Sequence, residues 1–141
     1  MKKIVLGAVV MALCLSAGGA REEKKEAKKV ENRLFEMRTY YAAPGKMKAL
    51  HKRFNDHTCK LFKKHGMTLV GFWSPTDEKD AEKRMIYILA HASKDAADKS
   101  WKAFREDKDW IKARDASEKD GKLVDKIDLV WMKATEYSPM K

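Results

Sequence analysis

The sequence predicts an α+β domain in which helices back a four-stranded antiparallel sheet, with elements in the order β-α-β-β-α-α-β. Three observations predict it. Four short runs rich in aromatic and aliphatic residues, LFEMRTYY, TLVGFWS, RMIYILAHA and KIDLVWM, are set off by Pro, Gly, Asp or charged segments, as strands are. The stretches after the first and third repeat their apolar residues at helical spacing. Their interleaving is that of the ferredoxin-like plan with its second helix broken in two.

The first strand covers residues 34–41, and Pro44-Gly45 breaks the chain after it. From Lys46 to His65 a long amphipathic helix carries Met47, Leu50, Phe54, Leu61 and Phe62 on one stripe, and Gly66 stands where a C-terminal cap belongs. Residues 68–74 form the second strand, PTDEKDAEK a polar loop, and residues 84–92 the third strand. Ser93 caps a helix whose face shows Ala97, Trp101 and Phe104, and Asp107 caps a shorter one carrying Trp110 and Ile111, with Gly121 after it. The last strand spans residues 126–132, ahead of the tail KATEYSPMK.

At 141 residues the chain has room for one core plus segments at its ends. Lys2 and Lys3, an apolar run from Ile4 to Leu15 and the small residues 16–20 follow one another as in a secretory signal peptide, with cleavage expected after Ala20. The run is shorter than the roughly 20 residues a spanning helix needs, so an exported protein, periplasmic or secreted, is expected rather than an integral membrane protein. Residues 21–33, REEKKEAKKVENR, have almost no apolar content and read as a charged tether to a domain over residues 34–141. Removing residues 1–20 takes the net charge from +10 to +8 and leaves Cys59 as the single cysteine, so no internal disulfide can hold the domain. The lysines alternate with Asp and Glu nearly everywhere, which makes a solvated surface and not a nucleic-acid interface.

His51, His57, Cys59 and His65 tempt a metal reading that their spacing refuses. His51 and His57 fall far apart around a helix, and His57 and His65 stand roughly 12 Å apart along it. His57 and His65 are expected to edge the buried stripe. Cys59 is expected to point away from it, as a free thiol or one paired between molecules, with no neighbouring base. No GxGxxG, GxSxG, HExxH or CxxC occurs, and no metal or cofactor is expected.

Alternation splits each strand into two faces. Phe35, Met37, Val70, Phe72, Ile86 and Ile88 are uniformly apolar and are expected to pack under the helices. Leu34, Glu36, Arg38, Tyr40, Leu69, Gly71, Trp73, Met85, Tyr87, Leu89 and His91 are then left on the open face, where so much aromatic area needs cover. A second copy of the chain packed sheet to sheet would cover it, with Glu36, Arg38, Tyr40, Trp73, Tyr87 and His91 lining an enclosed space that takes a ligand. Alternatively Glu36 and Arg38 pair with each other or with the partner.

FEMRTYYAAPGKM, HTCKLFKKHGMTLVGFW, the REDKDW element and WMKATEYSPMK together resemble the NIPSNAP domain. The resemblance rests on Glu36, Arg38 and Tyr40, on the turn at residues 44–47, on residues 65–73 and on Tyr137-Ser138-Pro139. Lys108 and Ala134 stand where the family's pattern has proline. The resemblance implies a dimeric α/β barrel, a superfamily that includes cofactor-independent monooxygenases and haem-degrading enzymes. Three roles follow as expectations: an exported homodimer binding a small, partly apolar ligand between its sheets; a metal-free monooxygenase or isomerase using His91 or His57 as base and Arg38 to stabilise the anion; or a purely structural dimer.

Overall fold

A computed structural model describes residues 33–141. The expected leader and nearly all of the charged tether lie outside the described residues. The elements are β1 (Leu34–Ala42), α1 (Met47–Arg53), a π-helical turn (Phe54–Thr58), α2 (Cys59–Lys64), β2 (Thr68–Trp73), α3 (Glu78–Ala81), β3 (Arg84–His91), α4 (Lys94–Glu106), α5 (Lys108–Ser117) and β4 (Val124–Lys133). The sheet order is β2-β3-β1-β4 and every neighbouring pair is antiparallel. This is the predicted α+β, four-stranded ferredoxin-like arrangement.

The local chemistry explains the boundaries. Ser93 accepts a hydrogen bond from the Ala96 amide, and Asp107 accepts from the Asp109 and Trp110 amides, so both expected caps open their helices. Gly66 ends α2 with φ +77°, a backbone state that side chains disfavour. Lys108 is the first residue of α5, the position where a proline is tolerated because its N–H has no intrahelical partner. The polar loop holds one unforeseen element: Asp77 accepts from the Asp80 amide and starts the single turn α3.

The long helix also departs from expectation at its centre. In the π turn the Cys59 amide bonds the Phe54 carbonyl five residues back. The wider turn rotates the following residues back relative to an α-helix. Cys59 therefore comes to lie half-buried against the core instead of pointing away. His57 is exposed and does not edge the buried stripe. His65 does stay half-buried, 2.7 Å from Asp107.

The core lies between the helices and one face of the sheet. Phe54, Phe62, Tyr87, Trp101 and Phe104 form its centre, with ring centroids 4.9 to 6.1 Å apart between neighbours. Such pairs each contribute about 0.5–1.5 kcal/mol beyond the area they bury. Phe72 stacks on Tyr87 at 5.3 Å.

The structure reverses the expected face assignment of β1 and β3, while Phe72 of β2 packs under the helices as expected. Glu36, Tyr40, Met85, Tyr87, Leu89 and His91 lie under the helices, while Met37, Ile86 and Ile88 face the other way. Alternation revealed two faces but not their direction, because both are apolar enough to need cover. The tie is broken by hydrogen bonding, since the Trp101 indole on α4 supplies a donor that the Glu36 carboxylate needs. A bulge between Leu69 and Gly71 then divides β2, so that Leu69 and Phe72 join the core and Gly71 and Trp73 pair with Ile88 and Ile86 on the open face. There the Trp73 ring lies over Gly71, close enough that a Cβ at Gly71 would stand 2.5 Å from it.

Candidate functional site

A buried polar cluster sits at the middle of the helix-covered face. β1 places Glu36 and Arg38 two residues apart on that face, β3 brings His91 alongside and α4 lowers Trp101 onto them. Glu36 Oε1 accepts from Arg38 Nε at 2.7 Å. Oε2 accepts from Trp101 Nε1 at 2.7 Å and from His91 Nε2 at 2.9 Å, which fixes the imidazole with its proton on Nε2. Burial is the largest influence on Glu36 and acts to raise its pKa, but the bonds from His91 and Trp101 and the charge of Arg38 outweigh it and hold the carboxyl below its ordinary range. The guanidinium of Arg38 also lies 3.9 Å from the centre of the Trp101 ring.

Two tyrosines continue the cluster. Tyr87 is the cross-strand partner of Arg38 and is fully buried, and its hydroxyl has no hydrogen-bond partner among the described residues. The Tyr40 hydroxyl comes near it without reaching bonding geometry. Burial first, and then Tyr40, push the Tyr87 phenol well above its ordinary value against the opposing charge of Arg38, so Tyr87 keeps its proton and is a donor. On the other side, Arg38 and Tyr40 face Leu129 and Ile127 of β4. These two residues remain 40% and 44% exposed on the helix side of this edge strand.

Five of the six predicted site residues are thus brought together: Glu36, Arg38, Tyr40, Tyr87 and His91. Their expected place between two sheets is corrected to the space between sheet and helices. Trp73 is separated from them on the opposite face. Sequence reasoning missed Trp101 as a member of the cluster, and its signal was present: an indole on an apolar stripe must find an acceptor when buried. Leu129 and Ile127 gave no signal, since only the sheet order makes β4 an edge. His51 and His57 are exposed and stand outside the cluster, and burial raises the Cys59 pKa against the weaker opposing charge of Lys63, away from thiolate chemistry. No group of three or more His, Cys, Asp or Glu with metal-binding geometry occurs among the described residues, nor is any helix among them long and apolar enough to cross a membrane.

Fold and site together place the chain among ferredoxin-like α+β domains that leave one side of the sheet without a helix layer. The sequence pattern of the NIPSNAP family matches residues 35–139, and the chain belongs to that family. Among solved structures, it is similar to a NIPSNAP family protein of unknown function from Agrobacterium tumefaciens, with 22% identity over 79% of this chain and 96% of that one and a TM-score of 0.67. A second A. tumefaciens NIPSNAP family protein shares 19% identity over 77% of this chain and 99% of its own, with a TM-score of 0.66. An uncharacterised NIPSNAP-like domain protein from Burkholderia xenovorans shares 12% over 77% and 90%, with a TM-score of 0.65. No curated protein gives a significant match. At these identities the likeness is one of fold.

Proposed function

We propose that this NIPSNAP-family chain is exported and acts as a homodimer that binds a small, partly apolar ligand between its sheet and its helices. The ligand-binding reading is carried by one observation: the Tyr87 hydroxyl is buried beside Arg38 without a partner. A purely structural clamp between α4 and β1 needs Glu36, Arg38, His91 and Trp101, and has no use for a stranded phenol. Leaving such a donor unpaired costs about 1–3 kcal/mol, which a bound acceptor would recover. The exposed Leu129 and Ile127, across β1 from it and opposite Arg38 and Tyr40, supply the apolar surface.

The dimer reading rests on the open face, where Trp73 is 49% and Val130 46% exposed beside Met37, Ile86 and Ile88. A two-fold axis covers the same patch on both copies at once, which suits a face centred on one sheet. Catalysis is the weaker reading for His91, because its Nε2 is committed to Glu36.

Native mass spectrometry of protein purified from its own host tests the ligand, and sedimentation equilibrium tests the dimer. A retained small molecule and a micromolar dimer weakened by Trp73→Ala by about 2 kcal/mol or more are expected. A ligand-free protein on repeated preparation, or a monomer at micromolar concentration, would remove the corresponding half of the reading.

A further inference from the structure

We infer that the ligand is an organic carboxylate whose oxygens are received by the Arg38 guanidinium and the Tyr87 hydroxyl, and whose apolar body lies along Leu129 and Ile127. This inference rests on the ligand-binding reading and adds the chemical class. Every group available at this point of the cluster is a donor. Tyr87 offers an unpartnered O–H, and Arg38 spends its Nε on Glu36 while its side chain stays 15% exposed. Its terminal Nη atoms carry no other hydrogen bond among the described residues. Arginine presents its donors in a planar fork that matches a carboxylate.

The carboxylate acceptors are already used. Glu36 Oε1 is taken by Arg38, and Oε2 by Trp101 and His91. A cationic ligand would therefore meet a guanidinium with no free carboxylate to balance it, and a neutral alcohol would satisfy the donors less well than an anion. Register fixes where the rest of the molecule goes. Leu129 is the direct cross-strand partner of Arg38, and Ile127 that of Tyr40. Two residues along a strand advance about 7 Å, so the exposed shelf suits a short aliphatic or aryl body. Leu129 and Ile127 are 40% and 44% exposed, which leaves the shelf and the 15% exposed Arg38 accessible from one side.

The test is a calorimetric titration of the full mature chain with octanoate, octanol and octylamine, repeated with Tyr87→Phe and Leu129→Asp. Octanoate is expected to bind at least about tenfold more tightly than octanol, and octylamine not measurably. Tyr87→Phe should weaken octanoate by about tenfold and yet raise the melting temperature of the ligand-free protein, because it deletes an unpaired buried donor. A merely structural tyrosine would lower both. Leu129→Asp, at an exposed position, should abolish octanoate binding without unfolding the domain.

Equal binding of octanol and octanoate, or preference for octylamine, overturns the carboxylate assignment while leaving the ligand-binding reading intact. Binding of none of the three at millimolar concentration also overturns it, and the molecule retained in native mass spectra then decides the broader reading separately. Unchanged octanoate affinity in Tyr87→Phe would show that the receptor lies elsewhere.

Discussion

Replacing Trp101 by Phe probes the contact that orients the whole sheet. The indole Nε1 donates to Glu36 Oε2 at 2.7 Å in a fully buried setting. A hydrogen bond to a charged acceptor contributes about 1.5–3 kcal/mol. Shrinking the indole to a phenyl ring also removes roughly three ring atoms from a packed core, at about 1–2 kcal/mol. The benzene ring of Phe preserves most of the contacts to Phe62 and Phe104 and a face for Arg38, and Glu36 keeps His91 and Arg38. The expected loss is therefore about 3–4 kcal/mol, which for a domain of this size lowers the melting temperature by more than about 10 °C. Urea denaturation followed by circular dichroism at fixed protein concentration measures it, with Tyr137→Phe as a control, since Tyr137 is 90% exposed. The control should stay within about 0.5 kcal/mol of wild type. A loss below about 1 kcal/mol for Trp101→Phe would mean that Glu36 does not face the helices, and the site would dissolve with it.

Because Glu36 is held below its ordinary value of 4.5, it binds protons more readily unfolded than folded, and its contribution to stability is complete above that pH and fades as pH falls through the lower native value. Glu36→Gln should be less stable near neutrality and show a flatter acid limb in denaturation curves from pH 6 downward; a limb as steep as that of wild type would assign the acid response to other carboxylates. Cys59→Ser places a hydroxyl against the core and should cost about 1 kcal/mol, and the native thiol should react slowly with a maleimide at neutral pH; rapid labelling would put Cys59 back on the surface. Export should leave a mature chain that begins at or near Arg21, read by N-terminal sequencing of the envelope or secreted fraction, and intact Met1 in the cytosol would end the exported reading.

Much of the fold is written locally. Ser93 and Asp107 cap the helices for which their side chains suit them, and Gly66 ends the long one where a positive φ is needed. The strand runs are legible because residues that need burial come in short blocks between turn formers. Local chemistry could not show the π turn, because a local change from fourth-residue to fifth-residue bonding is decided by how the helix packs, and with it went the placement of Cys59 and His57.

The site was half legible. Period-two alternation put Glu36, Arg38 and Tyr40 on one face of β1, and Tyr87 and His91 on one face of β3. Those groupings are set by backbone geometry and survive any packing. Which side the helices cover is not a property of any strand, since both faces of this sheet are apolar and a strand turned over satisfies the same pattern. Only the tertiary structure decided it, by giving the buried Glu36 carboxylate an indole, an imidazole and a guanidinium at once, a set drawn from α4, β3 and β1. The bulge in β2 then sent Trp73 away from the other five, because one extra residue reverses every side chain beyond it. The sequence by itself determined the elements, their order and the chemistry that each could offer. The side on which that chemistry meets was determined by the cost of burying a charge without partners, which is a property of the assembled molecule.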